Sequence, residues 1–304
     1  VISILFTANH AVYGADSTAA ASSPNTDNSS IVVDSKKQSV AAALSDDVSQ
    51  KGFSFFLGFG AASVRYQETS TLLPLKTSAQ ATNIILNSGA LYALNKDYLF
   101  SIENQSTFYP QDVTESWNAT APFSCCGYSY KSGPLQQDNF SIYQSDTHAY
   151  LYKRLSGSLF LMAGPSFGSS TFKRSSFVAE QPGVNVNASV VEESSSEILG
   201  NIGIGIDSEQ VNDKPSHYSF NVVVGLPVWR RVTNTGNTEV FAGTQGYDVV
   251  VEGRYSWAIR KELHIGAWAR YSDSFRGDQV LGGIELPQSQ LESESTGLEL
   301  LWKL

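Results

Sequence analysis

Cysteine is nearly absent. The 304 residues hold two, the neighbours Cys125 and Cys126. Adjacent side chains diverge, so this pair is no metal site; in an exported chain it is a candidate for a strained vicinal disulfide or for bridges to other chains. Charge is also scarce, at 16% of residues where soluble domains carry about 25%. No apolar run reaches the roughly 18 residues that a membrane helix needs. Basic excess is missing too: the formal net charge is -9, which argues against nucleic acid as a partner. No glycine loop has phosphate-binding spacing; Gly58, Gly60, Gly203 and Gly205 fall in strand-like stretches, where they relieve crowding. No internal repeat is evident. No cofactor and no metal are expected.

What the chain does have is alternation. Ten stretches place apolar and polar residues in turn, the mark of strands with two unlike faces. They run from about Phe53 to Tyr66, Thr82 to Leu94, onward from Asp97, Asp138 to Lys153, then around Leu159–Phe167, Ile198–Ile206, Tyr218–Val228, Tyr247–Ile259, Leu263–Tyr271, and to the C-terminus. Both a soluble sandwich and a membrane barrel bury one face per strand. Connection lengths favour the barrel. They are tight at Asn95-Lys96-Asp97, Leu155-Ser156 and Arg260-Lys261-Glu262, and long between, as with short periplasmic turns opposite long external loops. Aromatics also band. Phe53, Tyr92, Tyr98, Tyr218, Tyr255, Trp257 and Trp302 fall at the periplasmic edge, Phe108, Tyr143 and Tyr271 at the outer edge, and aliphatics lie between, as bilayer interfaces select. The expected fold is all-β, a transmembrane antiparallel up-and-down β-barrel of about ten strands. An even number returns both ends to the periplasm.

The last strand puts Leu298, Leu300, Trp302 and Leu304 on one face. Thr296, Gly297, Leu300 and Trp302 follow an order that resembles the C-terminal assembly signal of bacterial outer-membrane β-barrel proteins, with Leu304 where Phe is more usual. The resemblance implies the outer membrane of a Gram-negative bacterium, with lipid and lipopolysaccharide around the barrel and the barrel-assembly machinery as partner during insertion. At the other end, Val1-Ile2-Ser3-Ile4-Leu5-Phe6 with Val12-Tyr13-Gly14-Ala15 reads as a signal-peptide remnant. Residues 16–52, rich in Ser, Ala, Asp and Asn, read as a disordered periplasmic arm, which leaves 53–304 for the barrel.

The inward face carries the chemistry: Glu103, Asp146, His148, Asp248, Glu252, Arg254, Trp268, Arg270, Glu299 and Lys303 are expected to line the lumen. Ten strands are little wider than the eight that side chains fill, so mixed charges should pair and obstruct the bore. A three-residue turn at Arg260-Lys261-Glu262 sets Glu252 opposite Arg270. Asp146-Thr147-His148 is similar to the acid-any-His element of omptin proteases, which are ten-stranded barrels, and that likeness implies an imidazole oriented by Asp146. Here the element falls deep inside the fourth strand rather than at the external rim on a later one, and no aspartate pair is evident to hold water. No catalytic residue is assigned. The external loop from about Pro110 to Gln137, with Trp117 and the cysteines, is expected to be the longest. The expected function is passive, a small-solute channel of low conductance or a structural surface barrel; an adhesin or receptor acting through its loops is the first alternative, a membrane-embedded hydrolase the second.

Overall fold

The computed structural model describes residues 52–125, 127–186, 189–208 and 215–304. The segments 1–15 and 16–52, Gly52 apart, therefore lie outside the described residues, as does Cys126 and with it the cysteine pairing. The described residues form strands and no helix: β1 (Phe53–Thr69), β2 (Leu75–Ala93), β3 (Tyr98–Tyr109), β4 (Val113–Ala119), β5 (Phe123–Cys125), β6 (Tyr128–Tyr130), β7 (Gly133–Ser156), β8 (Leu159–Ala179), β9 (Val191–Asp207), β10 (Ser216–Asn234), β11 (Val240–Phe241), β12 (Gly246–Arg260), β13 (Leu263–Arg276), β14 (Gln279–Leu281), β15 (Ile284–Leu286) and β16 (Gln288–Lys303).

Pairing closes a ring. β1 bonds β2 on one side and β16 on the other, every contact is antiparallel, and β3 and β4 act as one strand because both sit between β2 and β7. The circuit β1, β2, β3/β4, β7, β8, β9, β10, β12, β13, β16 has ten members. Closure leaves this ring of ten without a first or last strand, the condition for crossing a bilayer with strands.

The outer face is apolar in a belt. On β1 Phe53, Phe55, Leu57 and Phe59 face out while Phe56, Val64, Tyr66 and Glu68 are buried inside. Ile202, Leu226 and Leu298 are 60%, 60% and 64% exposed. A contiguous apolar belt of this extent is far larger than soluble monomers tolerate, and lipid is its natural solvent. The aromatic residues of the periplasmic edge lie on this outer face, with Phe55 stacked on Trp302 at 4.9 Å and Tyr255 against Trp257 at 4.5 Å.

The strands overrun the expected limits on the external side. β2 begins at Leu75 rather than Thr82, and β7 at Gly133 rather than Asp138. Outward residues there are Lys76, Ser78, Gln80 and Thr82, so the apolar alternation fades, yet the ladder with β1 continues to Thr69↔Lys76. A rigid wall thus stands above the belt. The expected loop of residues 110–137 shrinks for the same reason: Val113–Ala119 is strand, Trp117 is buried, and Phe123–Cys125 pairs with Tyr128–Tyr130 as a hairpin.

Two tight turns also differ. The turn expected at Leu155-Ser156 is Gly157-Ser158, with Gly157 at φ 52°. At Arg260-Lys261-Glu262 only Lys261 and Glu262 form the turn, and Ile259 is bulged out. The bulge absorbs the residue assigned to the turn, so the ladder keeps Glu252 opposite Arg270.

Candidate functional site

The interior is built as two charged layers with a polar chamber between them. In the lower layer, level with the belt, Arg254 donates from Nε to Glu252 at 2.7 Å and from a terminal nitrogen to Glu103 at 2.5 Å, and it approaches Glu299 at 3.8 Å. Its guanidinium lies over the Phe56 ring at 4.1 Å. Arg254 is on β12 and Glu103 on β3, five places apart in a ring of ten. The bridge therefore spans the whole bore.

A second diametral bridge lies beside it. A terminal nitrogen of Arg270, on β13, meets Nε2 of His148, on β7, at 2.8 Å. A guanidinium only donates, so Nε2 is the bare nitrogen and Nδ1 carries the proton. That Nδ1 is 2.9 Å from the Tyr150 hydroxyl. Both imidazole nitrogens are engaged, neither by Asp146. The acid-any-His spacing does put the two side chains on one face, but Asp146 does not orient the ring. Arg270 and Glu252, opposite in register, approach only to 3.8 Å, because each has a closer partner.

Above this layer, Asp146 and Asp248 line a chamber of about 70 Å³ together with Ser166, Ser170, Ser195 and Ser272. These two acids come from β7 and β12, far apart in sequence, and only closure brings them to one cavity. Trp268 is 2% exposed and joins Tyr66, Phe140 and Phe172 in an aromatic cluster inside the wall. Lys303 sits at the opposite end, where a periplasmic cup of about 610 Å³ opens below the lower layer, with Nζ 3.2 Å from His217.

The upper layer was not foreseen. Arg174 holds Glu115 side-on, Nε to Oε2 at 2.6 Å and a terminal nitrogen to Oε1 at 3.1 Å, and reaches Glu68 at 3.2 Å. Arg276 donates to Glu193 at 2.9 Å and to the other oxygen of Glu68 at 3.4 Å. Arg174 also packs over Tyr66, Trp117 and Phe140 at 5.4 to 5.7 Å. All of this lies beyond the apolar belt. Burial would lower the Arg174 pKa, but Glu115 and Glu68 more than offset it and hold the pKa above the usual arginine value. Asp138 accepts from the Trp117 indole at 2.9 Å; burial first, then the neighbouring Glu115 charge, push its carboxyl up to about 7. A signal for this layer did exist: the inward parity Phe56, Val64, Tyr66 runs on to Glu68.

No family model matches the chain, and no curated protein matches it in sequence. Solved structures do. The outer membrane protease OmpT from Escherichia coli is 8% identical with a TM-score of 0.63, covering 83% of this chain and 97% of that one. The translocator domain of the autotransporter NalP from Neisseria meningitidis is 10% identical, covers 86% and 92%, and has a TM-score of 0.37. Neisserial surface protein A is 12% identical, covers 82% and 97%, and has a TM-score of 0.32. The likeness to OmpT shows a shared fold, the outer-membrane β-barrel.

Proposed function

We propose that this outer-membrane β-barrel is a passive, low-conductance channel for ions and very small solutes, rigid and nearly closed. The observation that carries this reading is the pair of diametral bridges, Arg254 to Glu103 and Arg270 to His148. Opposite charges this close in a poorly solvated interior attract strongly, and a bore of ten strands is little wider than one that side chains fill. Lipid and lipopolysaccharide would surround the belt, and the barrel-assembly machinery would act on β16 during insertion. Catalysis forms no part of the reading, because His148 has both nitrogens engaged and Asp146 touches neither. Single-channel recording in planar bilayers tests it. Small or intermittent steps are expected; large, steady, porin-sized steps would overturn it.

A second reading draws on the wall above the belt. Its rim exposes Leu72, Tyr109, Tyr128 and Val178, each more than half exposed. Apolar side chains held on a rigid rim suit a surface receptor or adhesin. Cell or matrix binding that disappears when residues 120–132 are shortened would favour it.

A further inference from the structure

On the outer face of β2, β3 and β7, lipid is a poor solvent for part of the belt. Ser88, Asn104 and Thr147 stand side by side there in register, with Ser106 and Ser145 paired above them. We propose that this polar patch is the contact through which a second copy of the chain binds, two-fold related, inside the membrane. The inference does not depend on what the bore conducts.

The patch faces outward and lies within the belt. Glu103 and Gln105 point into the bore, the first to Arg254 and the second to Ser295 at 3.3 Å, so Asn104 between them points out. His148, turned inward to Arg270, likewise puts Thr147 outside. On β3, Asn104 is six residues above Tyr98 of the periplasmic edge and four below Phe108 of the outer edge. At about 3.3 Å per residue on strands tilted by about 40°, it stands roughly 15 Å into a belt of about 25 Å. Elsewhere the belt holds Leu57, Leu298, Ile202 and Val224. Thr296, outward on β16, satisfies its hydroxyl by donating to the Trp268 carbonyl at 2.9 Å.

Hydrogen-bonding capacity selects the occupant. The Asn104 amide nitrogen donates to Thr147 at 2.9 Å and to Ser145 at 3.2 Å, and its carbonyl oxygen has no donor among the described residues. The hydroxyls of Ser88, Ser106, Ser145 and Thr147 donate to no group among the described residues either. Acyl chains offer such groups no partner, and an unmet polar group at this depth is costly. One acceptor beside several unused donors is a self-complementary set, as an isologous two-fold contact requires: the amide oxygen of each copy accepts from a hydroxyl of the other. Polar side chains join membrane-spanning segments in this way. Shape agrees. The short side chains make a recess, rimmed by Ile102, Tyr143 and Phe108. Phe108, edge-on to Phe59 at 6.0 Å, is 65% exposed, more than any other aromatic among the described residues. A second copy seated on the patch covers that ring.

Photocross-linking of the whole protein in the outer membrane tests the contact. p-Benzoylphenylalanine in place of Ile102, beside the patch, should give a covalent homodimer, with mass spectrometry finding both ends of the link on β2, β3 or β7. The same group in place of Val251, outward on β12 and five places round the ring, should give none. No cross-link, links to a different protein only, or equal yields from both positions each overturn the second copy as occupant. Asn104→Leu then separates contact from fold. Leucine suits lipid, so the unboiled gel mobility should stay that of the folded barrel. Association in liposomes, read by energy transfer between labelled copies, should weaken about tenfold, the scale of two membrane hydrogen bonds lost by symmetry. Thr147→Val, of nearly the same shape, should weaken it in the same direction and gives a second measure that does not rest on the leucine variant folding. Association unchanged in the folded variants shows that Asn104 and Thr147 serve only their own barrel, and overturns the proposal.

Discussion

Glu103 and Arg254 meet across the full diameter of the barrel, from β3 to β12, with 14% and 12% of their side chains exposed. The two ends of this bridge are unequal. Arg254 also serves Glu252 and Glu299, whereas Glu103 serves Arg254. Removing one partner of a buried pair costs about 3–5 kcal/mol because the other charge is stranded. Arg254→Met strands Glu103 and Glu299 and leaves Glu252 only its longer contact with Arg270 at 3.8 Å, and it should fall in that range. Glu103→Gln leaves Arg254 with two acids and should cost clearly less. Unfolding by urea in detergent micelles checks the order; equal costs, or the reverse, would show that the bridge is not organised around the guanidinium.

Asp138 lies outside the belt and gives the barrel a pH dependence. Its carboxyl titrates near 7 in the folded protein against 3.8 as its ordinary value. Between those values the folded state binds more protons than the unfolded state, so stability falls as pH rises. The contribution is complete below about pH 4 and is lost by the time pH passes about 7. Asp138→Asn removes the titration. Relative to the unsubstituted protein, the variant should gain stability steadily from pH 4 to pH 7 and stay level above it. Parallel unfolding midpoints across that window would refute the assignment.

The seam between β1 and β16 depends on a close approach at Gly297. A Cβ there would lie 2.4 Å from the Phe59 carbonyl oxygen and 2.8 Å from the Trp268 indole. Backbone on one side and a buried ring on the other leave no room to yield. The unsubstituted protein should resist SDS unheated and change mobility on boiling, because every strand is paired. Gly297→Val should lose the fast-migrating unboiled form. Gly52→Val, at a place where a Cβ meets nothing within 4 Å, should keep it.

The belt was legible because lipid imposes alternation: Leu57 and Phe59 must face out, and Gly58 must not. All ten strands follow from that pattern, as does the pairing of Glu252 with Arg270. Above the belt the constraint changes. Water outside allows Lys76 or Gln80, so the outward signal disappears, while the inward one, Thr77, Ala79 and Ala81, is too bland to read alone. The upper layer was missed for that reason. Partners were harder still. Alternation says that His148 and Arg270 both point inward; only the closure of ten strands says that they meet across the bore, and that Asp146 stands apart from the imidazole beside it.

Conductance is where the two layers matter together. Opening the lower layer alone should not make a pore, because Tyr66, Phe140 and Phe172 still fill the wall side of the path and Arg174 still joins Glu115 to Glu68 above. Trp268→Ala with Arg270→Ala removes one bridge and one ring, so single-channel current should rise modestly. Adding Arg174→Ser with Glu115→Ser releases the upper layer in a charge-balanced way, leaving Glu68 its second partner Arg276. Current should then rise again, by more than the first pair alone achieves, since a path through two closures in series is limited by the tighter. If the lower pair by itself yields steady steps and the upper pair adds nothing, the upper layer is no barrier, and the bore is set by Arg254 and Arg270 alone.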